Sequence, residues 1–271
     1  MPTQTDKANA FRALHEAIFV APNPWDAGSA RVLAGLGFPA LATSSGASAG
    51  VLGKRDGMIT RDEALAHARV IVEATDLPVA ADLENGFGDA PELVAETIRM
   101  AAETGLVGGS IEDATGDSAK PLYDLDLAVE RVRAAADAAR QLPFVFTLTA
   151  RAENYLRGNR DLDDTIRRLQ AFEQAGADVL FAPGLPDLAA VRAVCAAVSK
   201  PVNFMVGIKG KSFTLAELEA AGVKRVSLAT SLYRAAMTGL VAAAREVKER
   251  GTFEYLDDLM TGATINELMK N

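Results

Sequence analysis

The sequence is poor in residues on which several large classes of enzyme depend. Its 271 residues include one cysteine, Cys195, and two histidines. A single cysteine excludes a disulfide within the chain and is typical of proteins kept in a reducing compartment. Two histidines, both in predicted helices, make a histidine-ligated zinc site or histidine-based acid–base chemistry a poor explanation of the chain. We therefore expect a cytoplasmic protein without disulfides.

The chain also lacks an excess of basic residues and long apolar runs. Its net charge is −8, whereas a nucleic-acid-binding surface needs clustered lysine and arginine. No run of about 18 apolar residues occurs, and the N-terminus has no basic start followed by an apolar core. We expect neither nucleic acid nor a membrane as a partner. A small anionic metabolite stays possible, because local charge rather than net charge governs its binding.

Eight short apolar runs alternate with longer amphipathic segments along the chain. Uniformly apolar runs are typical of parallel strands that are covered on both faces. Eight such units predict an α/β fold with a parallel (β/α)8 barrel of the TIM type, although a doubly wound open sheet is the alternative. The predicted strands are 19–22, 40–43, 79–83, 108–111, 144–150, 179–182, 202–206 and 225–229.

Two segments lie outside the eight units. Residues 3–17 predict an extra N-terminal helix, and residues 252–271 predict one or two helical turns as a C-terminal extension. The extension is apolar on one side, so we expect it to pack on something, such as a neighbouring subunit. No linker-like or low-complexity stretch interrupts the chain, and we interpret residues 1–271 as one domain.

Acidic residues follow two neighbouring predicted strands. Asp82 and Glu84 stand at the end of the third strand, and Glu112 ends the fourth. The active sites of such barrels lie at the C-terminal ends of the strands, and residues two apart in an extended strand point to the same side. Converging carboxylates repel one another unless a cation lies between them. These acids favour Mg²⁺, which prefers oxygen ligands, over the alternative of solvated loop residues.

Other polar residues at the same end of the barrel are substrate-binding candidates. Arg151 ends the apolar fifth strand, where it can hold a carboxylate or form an ion pair with the nearby acids. Ser44, Ser45 and Gly46 follow the second strand and offer hydroxyl and N–H groups, or form a simple small-residue turn. Asn203 lies on the seventh strand.

The stretch 46–60 is long and rich in glycine for a connection between a strand and a helix. It predicts a flexible loop that either closes as a lid and brings Asp56 over the substrate or is merely a mobile surface loop. The Gly46–Gly50 segment matches G-x-S-x-G. A nucleophile elbow needs an immediate helix and a histidine base, and the sequence predicts neither there, so a serine hydrolase is not expected.

Several segments together make the chain resemble the isocitrate lyase / phosphoenolpyruvate mutase superfamily over almost its whole length. The matching segments are PNPWDAGSARVLAGLGFPALATSSGA, ADLENGFG, GGSIEDA, TARAE, RRLQAFEQAGADVLFAPG, PVNFM and ELEAAGVKRVSL. The resemblance implies a (β/α)8 barrel that uses Mg²⁺, or Mn²⁺, on 2-oxo or 2-hydroxy acids. It also implies a homotetramer, built as a dimer of dimers, in which a C-terminal helix is exchanged between subunits.

The resemblance also implies roles for individual residues. It makes Asp82 the direct metal ligand, with Glu84 and Glu112 acting on the metal largely through water. It makes Ser44, Ser45, Gly46 and Arg151 contacts of the substrate carboxylate, and Asp56 an acid on a gating loop, with Asp56, Arg151 and Glu112 as the catalytic residues.

The loop after the fourth strand departs from the best-known members. Isocitrate and methylisocitrate lyases carry K-K-C-G-H there, whereas residues 114–121 contain no cysteine or histidine. The mutases place an asparagine in this loop, and none occurs between Glu112 and Ala152. The resemblance therefore implies cleavage of an oxaloacetate-like dicarboxylate through an enolpyruvate-type intermediate. The alternatives are hydrolysis of a P–C bond, as in phosphonopyruvate hydrolase, or mutase-like P–C chemistry, and a barrel that only binds a metabolite.

Overall fold

The computed structural model describes residues 2–270 and confirms the barrel. Eight strands form one sheet in which every paired strand is parallel, in the order β1-β8-β7-β6-β5-β4-β3-β2. The strands are β1 (Phe19–Ala21), β2 (Leu41–Ala42), β3 (Val79–Asp82), β4 (Gly108–Glu112), β5 (Thr147–Arg151), β6 (Val179–Phe181), β7 (Val202–Met205) and β8 (Arg225–Ser227).

The barrel closes between β1 and β2 through individual hydrogen bonds instead of a regular ladder. The Ala42 N–H donates to the Pro22 carbonyl at 3.0 Å. Asn23 donates from Nδ2 to the Thr43 carbonyl at 2.9 Å and accepts at Oδ1 from the Leu228 N–H at 2.8 Å. One buried amide side chain thus connects the ends of three strands at the mouth of the barrel.

Helices follow the strands as predicted, with one addition. The unpredicted helix is α3, which occupies the first half of the expected glycine-rich loop. The helices are α1 (Gln4–Leu14), α2 (Ala27–Gly35), α3 (Ser45–Val51), α4 (Arg61–Glu73), α5 (Pro91–Glu103), α6 (Leu125–Arg140), α7 (Leu162–Ala175), α8 (Leu188–Ala197), α9 (Leu215–Ala220), α10 (Ser231–Arg250) and α11 (Gly262–Leu268), with a 3₁₀ turn at Glu254–Asp258.

Helix α1 is the predicted extra N-terminal helix, and it covers the bottom of the barrel. Phe11 is fully buried, and its ring meets those of His15 and Phe19 edge-on at centroid distances of 5.2 and 6.1 Å. The bottom of the barrel interior is therefore closed by side chains, so a ligand enters the interior from the opposite end, the mouth.

The C-terminal extension is helical, as predicted, and α11 packs on α2 of the same chain. Gly35 lies against the Leu268 carbonyl, with no room for a Cβ at that position. Exchange of this segment between subunits stays a prediction. Within residues 2–270 no helix is both long and apolar enough to cross a membrane.

Candidate active site

Three of the predicted residues meet at the mouth of the barrel. Arg151, at the end of β5, donates from Nη1 to Asp82 Oδ1 at 3.0 Å, and its Nη2 lies 3.1 Å from Glu112 Oε2. The parallel register makes this contact direct, because Glu112 and Arg151 are paired residues of β4 and β5. Of the two interpretations of Arg151, the ion pair with the acids is therefore present in the structure.

A further acid, Glu153, completes the set around Arg151. Its Oε1 accepts from Arg151 Nη2 at 2.8 Å and from Nε at 3.1 Å, and its side chain is buried. Sequence reasoning missed this residue. The signal was the spacing of Arg151 and Glu153 in the TARAE segment, where residues two apart in an extended chain share a side.

Asp113 supports this arrangement from behind. Its Oδ1 accepts from the Glu153 N–H at 2.8 Å, and Arg168 Nη1 on α7 donates to its Oδ2 at 3.0 Å. Burial raises the pKa of Asp113 to about 6, against the opposing effect of these hydrogen bonds. Asp113 therefore fixes the main chain that carries Glu153 instead of facing the cavity.

Glu84 reaches the site by a different route from the one that its spacing predicts. Strand β3 ends at Asp82, and Glu84 has left the extended conformation with a φ of +49°. A positive φ is uncommon for a non-glycine residue, and two hydrogen bonds hold it. Its N–H donates to Asp82 Oδ1 at 3.1 Å, and its carbonyl accepts from the Glu112 N–H at 2.9 Å.

Burial and mutual repulsion raise the pKa values of Glu84 and Glu112. The pKa of Glu84 rises to about 7, chiefly through burial and then through the charges of Asp82 and Asp56. The pKa of Glu112 is also raised, again chiefly through burial, although Arg151 opposes the shift. Arg151 does not cancel this shift, because its one guanidinium is shared among three carboxylates.

The donor set fits a hard divalent cation. It consists only of carboxylate oxygens, and Glu84 Oε1 is buried without a hydrogen-bond partner. In the part of the chain that the structure describes, no group of three or more His, Cys, Asp or Glu side chains is arranged to enclose a metal. Mg²⁺ does not require such an enclosure, because it keeps several waters and binds through one or two carboxylates. Asp82 and Glu84 would hold it, with Glu112 beside them.

Helix α3 brings the small residues after β2 to the same mouth. The Ser45 N–H faces Asp82 Oδ2 at 3.4 Å, and Ser44 and Asp82 line the same cavity. A Cβ on Gly46 would lie 3.1 Å from Asp56 Oδ2 and 2.9 Å from Thr230 Cγ2. The Asp56 carboxylate therefore lies beside Gly46, and its role on a gating loop stays a prediction.

The prediction of a continuous loop over residues 46–60 was wrong, and so were both reasons for rejecting a serine hydrolase, the absence of an immediate helix and of a nearby histidine. Helix α3 follows β2 at once, and Ser48 Oγ lies 2.9 Å from His67 Nδ1. His67 Nε2 is 2.8 Å from the Trp25 carbonyl, so that nitrogen carries the proton. The rejection itself rests on position: Ser48 is buried inside α3, not at the strand-to-helix turn, and is not among the residues that line the cavity.

Asn203 lies deeper in the cavity than the other predicted substrate contacts. Its Oδ1 accepts from Arg225 Nε at 2.9 Å, and its Nδ2 donates to Ser227 Oγ at 3.1 Å. The cavity therefore runs from the acids at the mouth to a second polar group on β7 and β8. Arg225 was predicted only as the first residue of a strand, because the surrounding run is apolar.

Comparison with known proteins agrees with this geometry. The family model described as phosphoenolpyruvate phosphomutase matches residues 11–248. The 2-methylisocitrate lyase of Escherichia coli strain K12 is 31% identical, over 84% of this chain and 78% of its own length.

Two solved structures resemble the whole chain. A Burkholderia cenocepacia J2315 protein, described only provisionally as a lyase/mutase, is 55% identical with a TM-score of 0.96, covering 99% of this chain and 97% of that one. Oxaloacetate acetylhydrolase in complex with oxalate is 25% identical with a TM-score of 0.88, covering 99% and 95%. The chain belongs to the phosphoenolpyruvate phosphomutase family, within the isocitrate lyase / phosphoenolpyruvate mutase superfamily of enzymes.

Proposed function

We propose that the protein is a Mg²⁺-dependent lyase that cleaves a C–C bond of a small, oxaloacetate-like 2-oxo or 2-hydroxy dicarboxylate. The observation that carries the proposal is the convergence of Asp82, Glu84 and Glu112 beside Arg151 at the barrel mouth. When bound, Mg²⁺, or Mn²⁺ in its place, would supply positive charge that stabilises negative charge developing on the substrate oxygens as the bond breaks.

The chain's own residues bind and orient the substrate. Arg151 is fixed by carboxylates on several sides, so it presents a rigid guanidinium to the substrate carboxylate. Ser44 lines the cavity and the Ser45 N–H faces Asp82, so Ser44, Ser45 and the adjoining Gly46 would contact the substrate carboxylate. Asp56 stands over Gly46, where closure of residues 52–60 would exclude water and bring a carboxylate to the reacting carbon.

The connection after β4 supports this class of reaction over those of the lyases that use a thiol. It is a short hairpin-like loop in which Ala114 and Leu122 form an antiparallel bridge. Its side chains offer no thiol or imidazole. The proton that returns to carbon therefore does not come from a thiol or an imidazole of this loop.

A product assay tests the proposal directly. Oxaloacetate and related 2-oxo and 2-hydroxy dicarboxylates are incubated with the protein and Mg²⁺, Mn²⁺ or EDTA, and products are followed by NMR. We expect metal-dependent turnover that Asp82→Asn abolishes and that Asp117→Asn, a matched change on the exposed loop after β4, leaves unchanged. Absence of metal-dependent turnover on all of these acids would contradict the proposal.

Two other results would assign the site differently. Release of inorganic phosphate from phosphonopyruvate would identify a P–C bond enzyme. Stabilisation of the protein by dicarboxylates without any turnover would identify a barrel that only binds a metabolite.

We also propose that the protein forms a homo-oligomer, with a tetramer as the expected state. Support comes from the C-terminal region, where large apolar side chains are more than one-third exposed: Leu240, Val241, Val247, Phe253, Leu256, Leu259 and Met260. Light scattering coupled to size-exclusion chromatography measures the mass, and a monomer at micromolar concentration would contradict this. The cytoplasmic location stays a prediction.

A further inference from the structure

A second buried arginine lies at the floor of the cavity. Arg225, the first residue of β8, points into the barrel and is only 7% exposed. Its Nε donates to Asn203 Oδ1 at 2.9 Å, and its Nη2 donates to Thr149 Oγ1 at 2.8 Å. Below it, the Phe11 ring of α1 lies with its centroid 5.9 Å from the guanidinium carbon. Neutral groups thus hold this cation from below and from the side.

Arg225 has no carboxylate partner among residues 2–270. No ion pair joins it to any acid there, and burial lowers its pKa to about 10 with no opposing charge. A buried charge without a counter-charge lowers the stability of a fold, and hydrogen bonds to neutral groups offset only part of this desolvation penalty. The arrangement is complete only when an anion enters the cavity.

The unpaired cation faces the same cavity as the acidic mouth. Arg225, Thr149 and Asn203 line it below, and Asp82 and Arg151 line it above. Thr149 and Arg151 are two residues apart on β5, which separates their levels by roughly 7 Å at the rise of a parallel strand. That span suits a small dicarboxylate with one polar contact at each end.

We infer that Arg225, with Asn203 and Thr149, binds the second carboxylate of the substrate at the floor of the cavity. The inference rests on the proposed function and names the residues that would bind the distal carboxylate of such a dicarboxylate. Among residues 2–270, Nε donates to Asn203 and one N–H of Nη2 donates to Thr149, so both N–H groups of Nη1 and the second N–H of Nη2 are left to donate to a carboxylate. Ser227, whose Oγ accepts from Asn203, has a hydroxyl proton left to donate.

This subsite also bears on which bond is cleaved. Decarboxylation of a 2-oxo dicarboxylate removes the charge of the distal carboxylate as CO₂ departs. A guanidinium paired with that carboxylate stabilises the charged ground state more than the transition state, and so slows the step. A carboxylate held by Arg225 therefore stays on its fragment.

Cleavage between C2 and C3 meets this requirement. With oxaloacetate, water adds to the C2 carbonyl and the C2–C3 bond breaks, its electron pair passing to C3 as the enolate of acetate. A proton then returns to C3, giving oxalate and acetate with both carboxylates retained. The same bond in a 2-hydroxy dicarboxylate cleaves without water, the hydroxyl proton leaving as the carbonyl forms.

Equilibrium binding with two matched ligands tests the subsite. Malate and 2-hydroxybutyrate differ only in a carboxylate against a methyl group, and each is titrated calorimetrically into the protein with Mg²⁺ present. We expect wild type to bind malate at least tenfold more tightly. Arg225→Met should remove that preference while changing the affinity for 2-hydroxybutyrate by less than twofold. A preference for malate that survives in Arg225→Met would overturn the inference.

Arg225→Lys provides a second variant should the methionine variant fail to fold. Lysine keeps the charge but loses the planar group that bonds Asn203 and Thr149 together, so the preference should fall severalfold. An unchanged preference in that variant would also contradict the inference.

Product identity separates this inference from the proposed function. For whichever dicarboxylate is turned over, products that retain both carboxylates support the subsite, and CO₂ as the main product overturns it. Loss of turnover in Asp82→Asn together with an unchanged malate preference in Arg225→Met refutes the subsite alone. An Arg225-dependent preference without turnover of any acid refutes the proposed reaction and leaves the subsite standing.

Discussion

The mouth and the floor of the barrel cavity each contain a buried arginine, in opposite electrostatic surroundings. At the mouth, Arg151 contacts Asp82, Glu112 and Glu153. At the floor, Arg225 contacts only neutral partners within residues 2–270. Fixed negative charge exceeds positive charge at one end, and the reverse holds at the other. The two ends therefore need different ligands, a cation at the mouth and an anion at the floor, and this would orient a dicarboxylate along the barrel axis.

The largest expected effect is that of Arg151→Met at the mouth. Removing this guanidinium leaves three buried carboxylates without their main counter-charge, a change that costs about 3–5 kcal/mol of unfolding free energy. Urea unfolding at pH 7.5 measures the loss. The difference in unfolding free energy between wild type and Arg151→Met should be smaller at pH 5.5. Without Arg151 the acids bind protons more readily, so at pH 5.5 protonation removes the unpaired charge.

Arg157→Met is the matched control for that change. Arg157 also contacts Glu112, at 3.2 Å, but its side chain is 41% exposed. Exposed pairs contribute about 0–1 kcal/mol, so this variant should remain close to wild type. If both variants lost the same free energy, the buried acid cluster would not be what distinguishes the mouth.

At the floor, His15→Leu should change how stability depends on pH. Burial, and then the charge of Arg225, lower the pKa of His15 to about 4. The folded state therefore binds this proton less readily than the unfolded chain does, with its pKa near 6.5. The contribution of His15 is present above pH 6.5 and is lost as pH falls towards 4.

The leucine variant has no proton to gain, so it should escape this loss. Wild type should lose about 2 kcal/mol more than His15→Leu between pH 7.5 and pH 5, measured by urea unfolding at both values. In Arg225→Met the NMR-measured pKa of His15 should rise, because one cause of its depression is gone. An unchanged pKa of His15 in Arg225→Met would mean that the charge of Arg225 does not act on His15.

A smaller effect is expected for Gly46→Ala at the mouth. The new Cβ would meet Thr230 and Asp56 at 2.9 and 3.1 Å, so the Asp56 segment must move outward. We expect a loss of about tenfold in kcat/KM, or 1.4 kcal/mol, with less than about 1 kcal/mol of stability lost. Gly239→Ala, in α10 with no atom within 4 Å of its Cβ, is the control and should keep full activity.

The sequence was sufficient for the mouth because topology alone brings those residues together. Parallel strands end at the same rim, so Asp82, Glu112 and Arg151 had to be neighbours whatever the detailed packing. Glu84 was predicted to join them for an incorrect reason. Its side chain reaches the site because the backbone turns there with a positive φ. The alternation of side chains along a strand does not predict that turn.

Neither helix α3 nor the inward direction of Arg225 could be predicted from the sequence, and the reasons differ. The α3 segment SGASAGV has low helix propensity, and tertiary contacts stabilise it, including the buried Ala47 and Ala49 and the contact of Ser48 with His67. Arg225 opens a short apolar strand, where its sequence position resembles that of a flanking surface charge. Only the closed barrel shows that it points inward.

The smallest expected effect compares two threonines on the same inward side of β5. Thr149 Oγ1 accepts from Arg225 at 2.8 Å, whereas the buried Thr147 Oγ1, two residues earlier, has no partner. Thr149→Val leaves a guanidinium N–H without its acceptor and should cost about 1 kcal/mol. Thr147→Val removes a hydroxyl that makes no hydrogen bond and should be neutral or stabilising.

The difference between the two valine variants, measured by urea unfolding, isolates the bond to Arg225 from the general effect of replacing a threonine. A saturating dicarboxylate should reduce this difference if it supplies Arg225 with a new acceptor. Equal free energies for the two variants would mean that Arg225 gains nothing from β5, and that the floor is held by Asn203 alone.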